Sequence, residues 1–363
     1  MHRVLLVGFG LGGRIFHAPF INAEPGLELA GIVTNSVERR AQAVEEYPGV
    51  PLFADSAEGL GAAQSLGIDT CVISTAVHVH VTHIEQALAA GLHVVIDKPV
   101  AGSAEEVRAL TTAATRAGRL VVPYQNRRFD GDFRTLQALV ANGSLGTVAR
   151  FESRFEKWRP VVVKDSWKES GAPGTSLLHD LGSHLVDQAL VLFGPVVSVY
   201  AVGQRMRPGS TNHDSLSLTL RHQGGVVSQL WMSMLAADYG PRFRVLGSEA
   251  AYVSSGLDVQ EDQLRLGSRP TAAGEWGVYP REMWGSLGTP DEYRLVPSMN
   301  GDMRLFWSKL VSALDNGTEP PVSMLDAIGT HSVLDAAVVS AETNAVVSLA
   351  PTTWQKANEA NVK

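Results

Sequence analysis

The run Val4-Leu5-Leu6-Val7-Gly8-Phe9-Gly10-Leu11-Gly12-Gly13 leaves the chain few options. A short apolar segment, then G-x-G-x-x-G, then a helical pattern make a strand, a tight turn and a helix. The first glycine permits the turn, the second lets the backbone approach a pyrophosphate, and the third lets helix and strand close on each other. The helix N-terminus then faces the negative charge. Gly8, Phe9, Gly10, Leu11, Gly12 and Gly13 are therefore candidate dinucleotide-binding residues.

Apolar runs at 4–7, 27–33, 70–74, 93–96 and 120–123 alternate with helical patterns at 12–21, 37–47, 81–90 and 104–117. Short, continuously apolar strands separated by helices imply a parallel sheet covered on both faces and doubly wound. After Pro123 the pattern changes. Segments 148–157, 196–206, 214–221, 226–234 and 241–246 alternate polar with apolar residues, as in Ser215-Leu216-Ser217-Leu218-Thr219-Leu220. Such alternation marks a sheet with one buried face, usually antiparallel. Helices are expected at 133–142, 179–193, 302–316 and 324–345, and the Gly/Pro-rich span 267–297 is expected to be a long surface loop. With 363 residues, more than one core is expected. The predicted fold is an α/β Rossmann dinucleotide-binding domain over 1–123, then an α+β domain with a large, mainly antiparallel sheet over 124–350. A weakly ordered tail follows at 351–363.

Composition narrows the function classes. A net charge of −7 argues against a nucleic-acid partner, which needs a basic face. The single cysteine, Cys71, has no partner for an intrachain disulfide, which suits a reducing compartment. The N-terminus reads as a strand rather than a signal peptide, and no apolar run reaches the roughly 20 residues of a membrane helix. A cytoplasmic protein with no membrane partner is expected.

The second strand ends at Val33-Thr34-Asn35-Ser36. An NAD site would usually offer an acidic residue there for the ribose hydroxyls, and Glu28 comes too early. Asn35, Ser36 and Arg39, with Arg40 beside it, suit a 2′-phosphate instead. NADP is the expected cofactor, with NAD the alternative.

His93-Val94-Val95-Ile96-Asp97-Lys98-Pro99 puts a lysine at the C-terminal end of a central strand, the edge where doubly wound sheets bind ligands. Farther on, His179-Asp180-Leu181-Gly182-Ser183-His184 spaces a carboxylate and an imidazole four residues apart, on one helix face. Together with Ser74, Thr75, His80, Tyr124-Gln125-Asn126-Arg127-Arg128-Phe129-Asp130 and Trp158-Arg159-Pro160, these motifs resemble, over nearly the whole chain, the glucose-fructose oxidoreductase/inositol dehydrogenase/rhizopine-catabolism (Gfo/Idh/MocA) family. Within it, Asn126-Arg127-Arg128 and the segment 256–262 look most like the NADP-dependent scyllo-inositol dehydrogenases.

The resemblance implies an oxidoreductase moving a hydride between NAD(P) and a carbinol carbon of a polyol or sugar, assembled as a homodimer or homotetramer. It implies catalytic roles for Lys98, Asp180 and His184: His184 takes the hydroxyl proton, Lys98 steadies the oxygen, and Asp180 orients the substrate or tunes His184. Ser74, Thr75, His80, Asp97, Lys98, Gln125 and Asn126 join the glycine turn as cofactor residues, and Tyr124 and Trp158 join the three catalytic groups as substrate residues. Trp167 and Lys168 are weaker candidates for the cleft wall. Three positions depart from the family pattern: Asp97 stands where Glu is common, Thr75-Ala76-Val77 where Thr-Pro-Asn is common, and Gly174-Thr175-Ser176 where three glycines are common. Three other readings compete. A dehydrogenase or reductase of another sugar or keto-sugar would use the same residues. A nucleotide-bound sensor without turnover conflicts with the intact Lys98, Asp180 and His184. A zinc site at His78, His80 and His83 lacks an accompanying ligand cluster, so no metal is expected.

Overall fold

The computed structural model describes residues 1–163, 169, 171–270 and 275–350. The expected tail beyond 350, and the candidates Trp167 and Lys168, lie outside the described residues.

Six parallel strands form the first sheet: β1 His2–Val7, β2 Leu27–Val33, β3 Leu52–Phe53, β4 Thr70–Ile73, β5 His93–Asp97 and β6 Val121–Tyr124. Their order is β3-β2-β1-β4-β5-β6, the doubly wound arrangement whose chain reverses direction beside β1, where dinucleotides bind. The two-residue β3 escapes sequence reading because it is too short to show a period. The helices between strands are ended by local chemistry. In Ala104–Ala117, Ser103 accepts from Glu106 N, and Gly118 closes the helix at φ 61°, a left-handed C-terminal cap that favours glycine.

The second sheet has nine strands: β7 Val148–Glu156, β8 Val196–Gln204, β9 Ser215–His222, β10 Val227–Ser233, β11 Phe243–Gly247, β12 Ala251–Ser254, β13 Gly285–Thr289, β14 Glu292–Val296 and β15 Val347–Ser348. The order is β14-β13-β12-β11-β7-β10-β9-β8-β15. Only β7 and β10 run parallel; the other pairs are antiparallel. The surface loop expected at 267–297 is corrected in part, because β13 and β14 form a hairpin that extends the sheet. Gly285 and Gly288 masked it in the sequence. At Gly285 a Cβ would stand 2.4 Å from the Tyr252 ring, so the glycine there is a strand residue under an aromatic ring.

The chain crosses between the two sheets more than once. From helix Arg304–Asn316, Phe306, Trp307 and Leu310 pack with Val4, Leu6, Val95 and Val122 of the parallel sheet. Burying each of those aromatic rings is worth about 2–3 kcal/mol. Helix Met324–Thr343 packs Met324, Ala327 and Ile328 on the other face of that sheet, and Val333, Leu334 and Ala337 on the second sheet. Two helices from the C-terminal part of the chain thereby help cover the two faces of the parallel sheet. Among the described residues no helix is long and apolar enough to cross a membrane.

Candidate active site

The glycine turn shows which of its glycines the protein itself requires. Gly8 has φ 101°, and a Cβ there would fall 2.3 Å from Ser74 O. A Cβ at Gly13 would fall 1.9 Å from Gly8 O. Gly10 differs: the nearest atom to a Cβ would be the Arg39 guanidinium, at 3.6 Å. Protein packing does not demand glycine at that position. A ligand approaching between the turn and Arg39 does, and an anionic one suits both the guanidinium and the helix N-terminus. The groove thus fits the phosphates of a dinucleotide.

The turn opens into a cleft of about 950 Å³. It is lined by Gly8, Phe9, Gly10, Leu11, Gly12, Asn35, Arg39, Ser74, Thr75, His80, Asp97, Lys98, Tyr124, Asn126, Asp180 and His184. The structure thus brings most of the sequence-predicted residues together, and four of them it does not. Gly13 lies behind the turn against Gly8. Ser36 caps helix Val37–Glu46 by accepting from Arg39 N. Gln125 is buried outside the cleft. Trp158 is 52% exposed and faces away. Period-two alternation explains this last case: Phe155, Lys157 and Arg159 take the cleft side of the extended chain, so Trp158 takes the other.

Two of the cleft residues are committed to holding the walls. Tyr124 OH donates to Phe16 O at 2.9 Å, so its hydroxyl is used inside the protein rather than on a substrate. His80 lies 3.0 Å from both Pro99 O and Thr75 O and pins the loops after β4 and β5 together. Burial drives its pKa down, and a neutral ring donates to only one of those carbonyls. Of the two arginines after β2, Arg39 faces the groove. Arg40 turns back to donate to Thr34 O at 3.2 Å.

At the mouth of the parallel sheet Lys98 Nζ donates to Asp180 O at 2.6 Å and to Asp180 Oδ1 at 2.9 Å. Asp180 sits in the wide π-helical turn Leu178–Gly182, a local irregularity that recurs at functional sites. His184 follows one turn later, in helix Ser183–Phe193. Burial, then the positive charges of Lys98 and Arg127, press its pKa well below the ordinary imidazole value, with Asp180 opposing them. Its ring is therefore held in the neutral form around pH 7.

The aromatic ring of Phe155 is a platform beside His184, with centroids 6.1 Å apart, and three cations gather on it. Arg127 is paired with Asp130 and Glu261, and Arg242 faces Asp132. Lys157 Nζ stands 5.1 Å from the ring centroid and makes no ion pair among the described residues. Burial lowers its pKa to about 8, Asp180 acting the other way. The sequence reading missed Lys157; the alternation along β7 is the signal that could have found it. Among the described residues no group of three or more His, Cys, Asp or Glu side chains could hold a metal ion.

Comparison with known proteins matches both halves of the chain. Residues 2–125 match the oxidoreductase family with an NAD-binding Rossmann fold, and residues 133–253 match the GFO/IDH/MocA C-terminal domain. The chain is 36% identical to the Escherichia coli oxidoreductase YdgJ over 96% of its own length and 99% of that protein's. It is 29% identical to the Bacillus subtilis scyllo-inositol 2-dehydrogenase (NADP(+)) IolW, covering 96% of each chain. The solved structure of the Bacillus subtilis oxidoreductase yvaA superposes with a TM-score of 0.89 at 28% identity, over 96% of this chain and 98% of that one. With a glycine-turn groove, a lysine–carboxylate contact at the sheet mouth and both family domains matched in order, the chain belongs to the Gfo/Idh/MocA family of NAD(P)-binding oxidoreductases.

Proposed function

We propose that this protein is an NADP(H)-dependent dehydrogenase acting on a CH–OH carbon of a cyclic polyol or sugar, inositols being the first compounds to test. The observation that carries this reading is the contact of Lys98 with Asp180, 82 residues apart in sequence, with His184 one turn away in the same cleft. When bound, the nicotinamide supplies or accepts the hydride. Neutral His184 takes the hydroxyl proton as the alcohol is oxidised. Lys98 faces the oxygen and stabilises the charge developing on it. Asp180 fixes the direction of the Lys98 amine through two hydrogen bonds. The likeness to IolW, an NADP+-linked scyllo-inositol 2-dehydrogenase, supports both the cofactor and the substrate class. The test is a panel of inositols, aldoses and ketoses assayed with NADP+ and NADPH by nicotinamide absorbance. No turnover of any polyol or carbonyl sugar, with either that cofactor or NAD(H), would defeat the proposal.

Arg39 is the group that would distinguish the cofactors. Arg39→Ala is expected to raise the Kd for NADPH by about 10- to 100-fold, the worth of a charged hydrogen-bond pair, and to leave NADH binding unchanged. Equal weakening of both would remove the 2′-phosphate assignment.

The pH dependence follows from His184. A depressed pKa places the acid limb of kcat/KM for alcohol oxidation below the ordinary imidazole range, because the base stays unprotonated there. A limb centred at or above about pH 6.5 would show that His184 is not the group being titrated.

A further inference from the structure

His17 takes no part in the chemistry proposed above, yet it is one of the most confined side chains in the protein. It ends the π-helical segment Gly12–His17 and is 0% exposed. Neither ring nitrogen has an aligned hydrogen bond among the described residues. Nε2 nevertheless stands 3.1 Å from Asp97 Oδ1. The ring lies against Tyr124, centroids 4.4 Å apart, and meets Trp307 edge-on at 5.8 Å. Tyr124 is itself tied to Phe16 O, so the imidazole has no room to turn elsewhere.

Asp97 is held from two sides. Its Oδ2 accepts from Ser74 Oγ at 2.6 Å, while Oδ1 faces His17. A Cβ at Gly12 would stand 2.9 Å from Oδ2, so the carboxylate lies directly beneath the glycine turn. The next residue is Lys98. Three cofactor-lining segments thus meet at one carboxylate: the glycine helix, the end of β4 and the end of β5. The wide π-helical turn brings the His17 imidazole to this carboxylate.

We propose that His17 is a positioning residue for the dinucleotide: paired with Asp97, it ties the glycine turn to the lysine-bearing strand and holds a carboxylate charge beneath the nicotinamide end of the cofactor. The proposal rests on the cofactor reading above and is independent of the substrate.

A pH readout separates this role from plain packing. Burial alone would raise the Asp97 pKa; the His17 imidazole 3.1 Å away and the hydrogen bond from Ser74 outweigh it and hold the pKa below its usual value. The other groups near Asp97 are His80 from helix His80–Ala89, Tyr124 from β6 and Lys98 on its own strand. Burial drives His80 toward neutrality and Tyr124 away from ionisation, and Lys98 is engaged with Asp180. Without His17, burial pushes Asp97 upward, and its charge is then lost as pH falls.

The experiment is an NADPH titration followed by nicotinamide fluorescence from pH 6.0 to 8.5 on wild type, His17→Phe, His17→Gln, Asp97→Asn and the His17→Phe/Asp97→Asn double variant. Affinities are read relative to wild type at each pH, because the cofactor's own phosphate titrates in every sample. His17→Phe is expected to lose relative affinity progressively toward the acid end of the range. His17→Gln, which keeps a donor, should recover part of it. Asp97→Asn should bind more weakly than wild type with no such slope, and the double variant should match Asp97→Asn rather than sum the two losses. A flat relative profile for His17→Phe, or additive losses, would overturn the proposal. If His17→Phe fails to fold, the Gln and Asn variants decide: wild-type NADPH affinity in Asp97→Asn overturns it. A protein that shows this coupling but oxidises no polyol keeps this inference and loses the catalytic one.

Discussion

Lys98→Ala is expected to lower kcat by about 10³-fold, within the range seen when a preorganised transition-state donor or acid–base group is removed. The Kd for NADPH should change little, because the proposed phosphate contacts lie at Arg39 and the glycine turn. The size of the effect follows from where the amine is held. Lys98 is anchored by both a carbonyl and a carboxylate of Asp180, so its charge is fixed before substrate arrives and needs no reorganisation as charge develops. A purely structural ion pair predicts the opposite split, with a lower Tm and near-normal kcat. Lys98→Arg separates the two further. It keeps the charge, and so would restore a structural pair. The longer planar guanidinium cannot reproduce the position of the ammonium, so activity should stay low. Wild-type kcat in Lys98→Ala would remove this residue from the mechanism.

Arg128→Met is expected to destabilise the protein by about 3–5 kcal/mol, the usual cost of removing one partner from a buried ion pair. Arg128 donates from Nε and Nη2 to the two oxygens of Asp187, at 2.8 and 2.6 Å, and from Nη1 to Asp326 at 3.3 Å. Asp187 is 2% exposed, and burial already raises its pKa against the pull of Arg128. Burial also acts to raise Asp326, but Arg128 and the Ser323 bonds hold it below the usual carboxylate value. Loss of the arginine would move both upward. An acid whose folded pKa exceeds its unfolded one costs stability at every pH above the latter. The deficit should therefore be largest near neutrality and shrink as pH falls through the carboxylate range. Thermal unfolding of both proteins across pH measures this, and a Tm unchanged at pH 7 would contradict it. Asp187 lies one turn beyond His184, so loosening this anchor should also lower activity in the surviving folded fraction.

The parallel sheet was legible because each of its main strands is a short apolar run with a helix behind it, and because buried strands need no alternation to be recognised. The second sheet was legible where polar and apolar residues alternate, at β7, β8, β9, β10 and β11. The β13–β14 hairpin was not: Gly285 and Gly288 remove the side chains that would show a period, and the reason for Gly285 is a tyrosine ring from another strand. Lys98, Asp180 and His184 could be picked out because each sits in a local motif. His17 could not, since nothing near it in sequence says what it faces, and Lys157 was signalled only by the alternation that β7 carries toward it.

What the sequence determined by itself was local: the strand–turn–helix at Gly8–Gly13, the lysine at the end of β5, and the four-residue spacing of Asp180 and His184. These follow from steric rules and periods that act within a dozen residues. Tertiary structure decided which of these motifs meet. It set Lys98 on Asp180 and His17 beside Asp97, turned Trp158 away from the cleft, and brought helix Arg304–Asn316 back onto the first sheet. The physical reason is that such contacts are made by packing two sheets and their helices into shared cores, and burial recruits residues by shape and not by their distance along the chain.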